Sequence, residues 1–145
     1  MANNTRLALV IVGGFLFIAD RIFKTLSASA WSHDAYVNRF LGWSPSTNTG
    51  IAFGLPVPQI AIIILSIAFI TILLTYFFHA KNTILRFGFL FILLGAISNL
   101  FDRLVFHKTL DYFLFVTSLF NLADILIIIG AVICIFNSAG DRTAK

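Results

Sequence analysis

The sequence predicts an all-α membrane protein with four transmembrane helices, and three observations carry this prediction. Of its 145 residues, 59% are hydrophobic and only 11% are charged, a composition far outside that of ordinary soluble domains. The mean hydropathy is high, at +0.98. Four apolar segments are each about 20 residues long, which is the length that a helix needs to cross a hydrocarbon core of about 30 Å.

The four helices are predicted at about residues 7–26, 59–78, 84–104 and 119–136 of one domain that covers residues 1–145. The first apolar stretch follows Arg6, but no small-x-small cleavage site precedes Asp20, so we expect a retained helix. Pro56 and Pro58 mark the start of the second helix, where proline is well tolerated. The connections between the helices leave room for a small β element.

The polar residues of the chain converge on one side of the predicted membrane. If all four helices span the membrane, the chain crosses it four times in alternating directions. One side of the membrane then holds the end of the first helix, the start of the second, the end of the third and the start of the fourth. Ionisable groups at membrane depth are costly and usually face the bundle interior, so each is a functional candidate. The residues on this side are Asp20, Asn48, Asn99, Asp102, Asp111, Asn121 and Asp124.

The basic residues orient the chain only weakly. Lysines and arginines divide five to each side, which is a tie under the positive-inside rule. Arg21, Lys24 and Arg103 are interpreted as partners of Asp20 and Asp102, and setting them aside favours cytoplasmic termini. We attribute the net charge of +4 to membrane orientation and anionic lipid headgroups. No basic run with interleaved aromatics indicates nucleic acid.

All six acidic residues are aspartates, so carboxylate chemistry has few candidates. Asn99 and Asp102, like Asn121 and Asp124, have an Asn-x-x-Asp spacing that places an amide beside a carboxylate on one helix face. Asp124 lies near a predicted helix N-terminus, where the dipole favours its anion. Asp102 lies near a C-terminus, where adjacent Arg103 offers compensation. An ion pair that fixes the helix end is therefore the favoured interpretation of Asp102.

Asp20 and Lys24, four residues apart, are likewise interpreted as a structural ion pair. Asp111 lies in a short apolar connection that we expect to follow the membrane interface. Two aspartates within reach of one water share a proton, so that one acts as a base toward the water and the other as an acid toward a scissile carbonyl. Spacing alone leaves the partner of Asp124 open between Asp111, Asp102 and Asp20.

The segment from Asn48 to Gly54 combines an amide, two glycines and Phe53. It is either an ordinary turn or a substrate-binding loop. The three histidines are scattered and form no metal-ligand pattern, and no P-loop or dinucleotide fingerprint occurs. We therefore expect no metal and no organic cofactor. Three aromatic residues are interpreted as lying at the membrane interface: Trp31, Tyr36 and Trp43.

Several motifs in fixed order resemble signal peptidase II, the lipoprotein signal peptidase family, over nearly the whole chain. The resemblance implies an aspartic endopeptidase of the bacterial cytoplasmic (inner) membrane. Such an enzyme cuts the signal peptide of diacylglyceryl-modified prolipoproteins just before the lipidated cysteine. We expect a monomer whose partners are these substrates and membrane lipids. The motifs are Asp20-x-x-x-Lys24, Asn48-x-Gly50-x-Ala52-Phe53, Gly95-Ala96-x-x-Asn99-Leu100-x-Asp102-Arg103, Asp111-Tyr112-Phe113 and Phe120-Asn121-x-Ala123-Asp124.

The resemblance also implies a role for each matching residue. The catalytic pair occupies the positions of Asp111 and Asp124, toward the outer leaflet, with both termini cytoplasmic. This orientation agrees with the weak preference of the charges. The positions that support the site or bind substrate are Asp20, Lys24, Asn48, Gly50, Phe53, Asn99, Asp102, Arg103 and Asn121.

The chain departs from the family's pattern at four positions and in one length. Arg21 replaces a usual Gln, Ile51 a small residue, Ser98 a Gly and Tyr112 a Phe. The interval between the two catalytic positions is shorter than is common, which could alter gating or substrate range. Two other classes stay open: a small proton-coupled transporter or channel subunit with the aspartates as its relay, and a non-catalytic scaffold. Transporters more often spread ionisable residues through the membrane depth.

Overall fold

The computed structural model describes residues 3–50 and 57–143, with side chains described for residues 4–50 and 57–137. The expectation for Phe53 therefore lies outside the described residues. The described chain is mostly helical, as predicted, and its connections form a small antiparallel sheet. The helices are α1 (Asn3–Ala28), α2 (Gln59–His79), α3 (Thr83–Phe106) and α4 (Leu122–Thr143). The strands are β1 (Ala35–Asn38), β2 (Leu41–Asn48), β3 (Thr109–Phe115) and β4 (Ser118–Phe120).

Two of the described helices, α2 and α3, are long and apolar enough to cross a membrane. α2 is apolar on every side, and many of its large side chains point outward, with Leu65 66% and Phe78 71% exposed. A helix that is apolar all round and is not covered by protein is suited to a lipid environment. The apolar part of α4, Leu122–Asn137, is shorter, and α1 carries four charged residues.

α3 is the central helix and packs against α1, α2 and α4. Leu73, Ile92 and Leu93 form the buried core between α2 and α3. Gly95 allows α3 to approach the first turn of α4, because a Cβ atom at this position would collide with the carbonyl oxygen of Ala123. Small residues at such crossings let two backbones come close together. The polar end of α3 is thereby held against the start of α4.

The sheet has the order β1-β2-β3-β4, and all three pairs are antiparallel. In the β2–β3 ladder, Ser46 pairs with Asp111 and Asn48 pairs with Thr109, beyond a register shift that follows Trp43. Asp111 therefore lies in a strand and is paired with β2, whereas β4 pairs only with the later residues of β3, 113–115. α4 begins later than predicted because residues 118–120 form the edge strand β4.

A cluster of aromatic rings joins the sheet to α1. The ring centroids of Trp43 and Tyr112 are 4.7 Å apart, and that of Phe23 on α1 is 6.1 Å from that of Tyr112. Trp31 packs edge-on against Trp43, whose Nε1 donates to the carbonyl oxygen of Trp31 at 2.7 Å. Tyr112 is fully buried by this packing. Tyr36 is 57% exposed, and the interfacial role of these aromatics stays a prediction.

Candidate active site

Asn121 and Asp124 cap each other at the start of α4. The backbone N–H of Asp124 donates to Oδ1 of Asn121 at 2.9 Å, and the N–H of Asn121 donates to Oδ2 of Asp124 at 3.1 Å. This reciprocal pattern is a capping box. The Asn-x-x-Asp spacing therefore marks a helix start, and the predicted position of Asp124 at a helix N-terminus is confirmed.

The other free N–H groups of this first turn also find acceptors inside the protein. The N–H of Leu122 donates to Oη of Tyr112 at 3.0 Å, and the N–H of Ala123 donates to Oδ1 of Asp20 at 3.0 Å. Burial raises the pKa of Tyr112, so its hydroxyl stays neutral. The N–H of Ile125 donates to the Asn121 carbonyl at 3.3 Å. A buried helix start requires such partners, and they fix the backbone that carries Asp124.

Asn121 links the two carboxylates of the candidate pair. Its Nδ2 donates to Oδ1 of Asp111 at 2.7 Å, while its Oδ1 accepts from the backbone of Asp124. Asn121 is fully buried and Asp111 is 6% exposed. On the other side, Nδ2 of Asn99 donates to Oδ1 of Asp124 at 2.8 Å. Two amides thus hold two carboxylates without adding charge.

The Asp111 carboxyl group is poised to carry a proton. Burial and the neighbouring charge of Asp124 raise its pKa from 3.8 to about 6. Hydrogen bonds from Asn121 and Asn48 and the charge of Lys24 act in the opposite direction. Desolvation and like-charge repulsion are the usual means by which a carboxyl group stays protonated above its normal range.

Asp111 and Asp124 line a common cavity of about 860 Å³. Its polar wall includes Asn48, Asn99 and Arg103, and Nη2 of Arg103 donates to the Gly50 carbonyl at 2.6 Å. Gly50 N in turn donates to Oδ1 of Asn48 at 2.9 Å. Its apolar wall comes from α2 and α4, at Ile62, Phe69, Ile127 and Ile128. A cavity with one polar and one apolar wall suits an amphipathic ligand.

An ion cluster lies behind this cavity, between α1 and α3. Arg21 contacts Oδ1 of Asp102 at 2.6 Å and Oδ2 of Asp20 at 2.9 Å. Lys24 contacts Oδ2 of Asp102 at 2.7 Å and Oδ2 of Asp20 at 3.3 Å. The predicted Asp20–Lys24 ion pair is confirmed. The hydroxyl of Ser98 bonds both Asp20 and Arg21.

The predicted pairing of Asp102 with Arg103 is wrong. Asp102 pairs with Arg21 and Lys24 of α1, whereas Arg103 bonds the Gly50 carbonyl at the cavity. The reason is helical geometry, because residues adjacent in sequence point in different directions on a helix and do not face each other. Asp102 therefore contacts α1, whereas Arg103 contacts the loop at the cavity.

The structure brings the described candidate residues together in two groups. Asn48, Gly50, Asn99, Arg103, Asp111, Asn121 and Asp124 surround the cavity or its capping network, and Asp20, Lys24 and Asp102 form the ion cluster. Sequence reasoning missed the supporting roles of Ser98 and of the Tyr112 hydroxyl. Both positions stood out only as departures from the family's pattern. Among the described residues, no three His, Cys, Asp or Glu side chains are grouped to hold a metal ion.

These features define a mostly helical protein with two helices suited to a membrane, in which the buried Asp111 and the half-buried Asp124 line a cavity with polar and apolar residues. Residues 12–139 match the family described as signal peptidase (SPase) II. The chain belongs to the signal peptidase II family, a family of membrane peptidases.

Individual relatives agree with this assignment. The lipoprotein signal peptidase of Mesorhizobium japonicum is 37% identical over 108 residues, covering 68% of this chain and 64% of the relative. The lipoprotein signal peptidase of Clostridium novyi is 29% identical over 136 residues, covering 86% of this chain and 90% of the relative. A bacterial membrane enzyme solved by the in meso method at 2.3 Å superposes with a TM-score of 0.87 at 21% identity, covering 95% of this chain and 91% of the enzyme. At that identity, the superposition supports the fold alone.

Proposed function

We propose that the protein is an aspartyl endopeptidase that cleaves the signal peptide of diacylglyceryl-modified prolipoproteins just before the lipidated cysteine. Asp111 and Asp124 are its catalytic pair. The observation that carries the proposal is that both carboxylates line one cavity and both accept hydrogen bonds from Asn121, Asp111 from its side chain and Asp124 from its backbone N–H. The relatives named lipoprotein signal peptidase suggest the substrate class.

The two carboxyl groups take different roles because their surroundings differ. Asp124 lies at the N-terminus of α4, where the helix dipole favours negative charge, so it is the base. Asp111 has a pKa of about 6 and holds the proton, so it is the acid. Asp124 takes a proton from water as the water oxygen bonds to the scissile carbonyl carbon. Asp111 gives its proton to the carbonyl oxygen, which forms a neutral tetrahedral diol.

Collapse of this diol completes the reaction. Asp124 returns its proton to the leaving nitrogen as the C–N bond breaks, and Asp111 takes a proton back from one hydroxyl of the diol. The products are a carboxylic acid and the free amine of the cysteine. The pair then regains its starting state of one shared proton.

The two walls of the cavity support a lipidated peptide as the substrate. The amides and Arg103 on the polar wall offer donors to a peptide backbone. The residues from α2 and α4 on the other wall offer apolar contact to acyl chains. Gly50 and Asn48 lie at this polar wall and are proposed to contact substrate, together with Phe53.

The placement in the membrane follows from the same proposal. All four helices span the bacterial cytoplasmic membrane, both termini are cytoplasmic, and the site faces the outer leaflet. In support, the polar ends of α1 and α3 meet the start of α4 at one end of the bundle. The protein acts as a monomer among membrane lipids.

The test is cleavage of a lipidated prolipoprotein by the purified protein. We expect a cut just before the diacylglyceryl-modified cysteine, located by mass spectrometry, and no cut in the same prolipoprotein without the lipid. Failure to cut the lipidated substrate, or a cut at another bond, would overturn the proposal. Proton flux into liposomes that depends on Asp124, without cleavage, would favour the transporter instead.

A further inference from the structure

The side chain of Asn99 lies between Lys24 and Asp124, and its orientation matters. Nζ of Lys24 donates to Oδ1 of Asn99 at 2.9 Å, and Nδ2 of Asn99 donates to Oδ1 of Asp124 at 2.8 Å. The two ends of an amide have nearly the same shape, so packing alone does not decide which end faces Asp124. An ammonium group only donates, so the oxygen of the amide must face Lys24.

The Lys24 ammonium is itself held firmly. Lys24 is 5% exposed, and its ammonium donates hydrogen bonds to Asn99 Oδ1 at 2.9 Å and to Ser98 Oγ at 3.5 Å. It also forms ion pairs with Asp102 at 2.7 Å and Asp20 at 3.3 Å. Arg21 supplies the second positive charge for the two aspartates. A buried cation is tolerated when it is paired and its hydrogen bonds are satisfied. The cluster is therefore neutral and holds the ammonium in one place.

We propose that Lys24 is a positioning residue for Asp124 and acts through the Asn99 amide. This inference rests on the proposed function of Asp124 as the catalytic base. By fixing the oxygen of Asn99, Lys24 leaves Nδ2 as the only group that this amide can present to the carboxylate. Lys24 is not among the described residues that line the cavity, and the proposal gives it no direct contact with substrate.

Loss of the ammonium leaves the orientation of Asn99 to a weaker partner, Asn121, whose Nδ2 lies 3.3 Å from Asn99 Oδ1. When the amide turns over, its oxygen faces the Asp124 carboxylate and repels it. The base is then misplaced and its charge less well stabilised, so the acidic limb of the pH–rate profile moves to higher pH. The other charged groups that act on or face Asp124 come from β3, α1 and α3, at Asp111, Asp20 and Arg103.

The first test compares Lys24→Met with Lys24→Gln. Methionine has no donor for Asn99, whereas the glutamine amide has one. We expect Lys24→Met to lower kcat by about 100-fold, as for a misplaced catalytic group, with little change in KM and a shifted acidic limb. Lys24→Gln should recover part of kcat and the original pH profile. Equal activity and equal profiles in the two variants would overturn the proposal.

Two further variants separate positioning from folding. Lys24→Met/Asp102→Asn removes one charge of each sign, so Arg21 and Asp20 keep the cluster neutral while the donor to Asn99 is absent. It should fold and still show the shifted profile. Arg21→Gln removes the other cation of the cluster, and we expect a lower melting temperature with an unshifted profile. A shift in Arg21→Gln equal to that in Lys24→Met would assign the effect to the charge of the cluster.

A double-mutant cycle with Asn99→Leu completes the test. If Lys24 acts through Asn99, then Lys24→Met/Asn99→Leu is no slower than Asn99→Leu alone, because the second change removes nothing further. Additive losses would overturn the inference while leaving the proposed function intact. Absence of cleavage by the wild-type protein would overturn both.

Discussion

Asn121 donates to Asp111 at 2.7 Å, and it can do so in only one orientation, because its oxygen is held by the backbone N–H of Asp124. Asn121 thus caps the start of α4 and donates to both carboxylates, from its side chain to Asp111 and from its backbone N–H to Asp124. The geometry of the pair depends on where this helix begins.

We expect Asp111→Asn and Asp124→Asn each to abolish prolipoprotein cleavage, because each removes one half of the proposed acid–base pair. The measurement is the rate of cleavage in detergent or lipid, with thermal unfolding to establish that each variant is folded. Asp34→Asn is the matched control. Asp34 is exposed, accepts a hydrogen bond from Tyr36 and is not among the described residues that line the cavity, so this variant should cleave normally. Near-normal cleavage by either folded catalytic variant contradicts the assignment.

Asn121→Ala should lower both stability and activity. Loss of an N-cap costs about 1 kcal/mol, and loss of the bond to Asp111 frees that carboxyl group, for which we expect about a 100-fold slower reaction. Asn82→Ala is the control, since Asn82 caps α3 with its Oδ1 on the N–H of Ile84 at 2.8 Å. It should lose comparable stability and keep its activity. Equal activity in the two variants would contradict the role of Asn121.

Tyr112→Phe removes a single oxygen from the buried aromatic cluster. The N–H of Leu122 then loses its acceptor, which costs about 1–3 kcal/mol for a buried group. We expect a lower melting temperature and slower cleavage, because the same helix start carries Asp124. Tyr36→Phe removes an exposed hydroxyl and serves as the comparison. If the melting temperature of Tyr112→Phe matches the wild type, the hydroxyl is not a cap.

The pH dependence of stability should report the proton on Asp111. Its pKa rises from 3.8 to about 6 on folding, so the folded state binds a proton more tightly than the unfolded state. The stabilisation is complete below the unfolded pKa and is lost as pH rises through about 6. Melting temperatures measured from pH 4 to 7.5 should therefore contain a decline that is absent in Asp111→Asn. Parallel curves for the two proteins would contradict the raised pKa.

The activity should follow the same group. Because Asp111 is the proposed acid, with a pKa of about 6, we expect kcat/KM of the free enzyme to fall as pH rises through about 6. A profile that is flat from pH 5 to 7.5 would mean that another group supplies the proton.

Gly95→Ala tests the close approach of α3 to α4. The added Cβ collides with the Ala123 carbonyl, and such overpacking costs about 1–3 kcal/mol. The first turn of α4 must move, so activity should also fall. Gly14→Ala is the control, because a Cβ there meets nothing within 4 Å, and alanine favours a helix over glycine by about 1 kcal/mol. A Gly95→Ala variant as stable as Gly14→Ala would rule out the tight crossing.

Connectivity and periodicity are local enough to predict much of this protein. Apolar segment lengths indicated the helices, and the alternation of helix ends placed the aspartates at one end. The prediction that a helix dipole favours the Asp124 anion required only that Asp124 lie close to the start of a helix. Arg21 and Lys24 were expected among the partners of Asp20 and Asp102, but the choice of these two residues over adjacent Arg103 for Asp102 was beyond such reasoning, because Arg21 is 81 residues from Asp102.

The structural position of Asp111 was likewise beyond what local sequence patterns can predict. Its strand exists because β3 pairs with β2, and the pair Ser46–Asp111 is set by a register shift that no local pattern reveals. The capping box of Asn121 and Asp124 was visible only as spacing, because its meaning depends on where the helix starts. The resemblance to a family, and not the spacing, singled out Asp111 among the possible partners.

The ion cluster also has a consequence for biosynthesis. As the chain is made, α1 leaves the ribosome with Arg21 and Lys24 but with only one of their two aspartates, and Asp102 follows much later. An unpaired buried cation costs several kcal/mol, so on the proposed membrane topology we expect α1 to pack against its neighbours only after α3 has been inserted. The proposed bundle should then insert cooperatively, and we expect a chain truncated before Asp102 to be degraded more readily than the full chain.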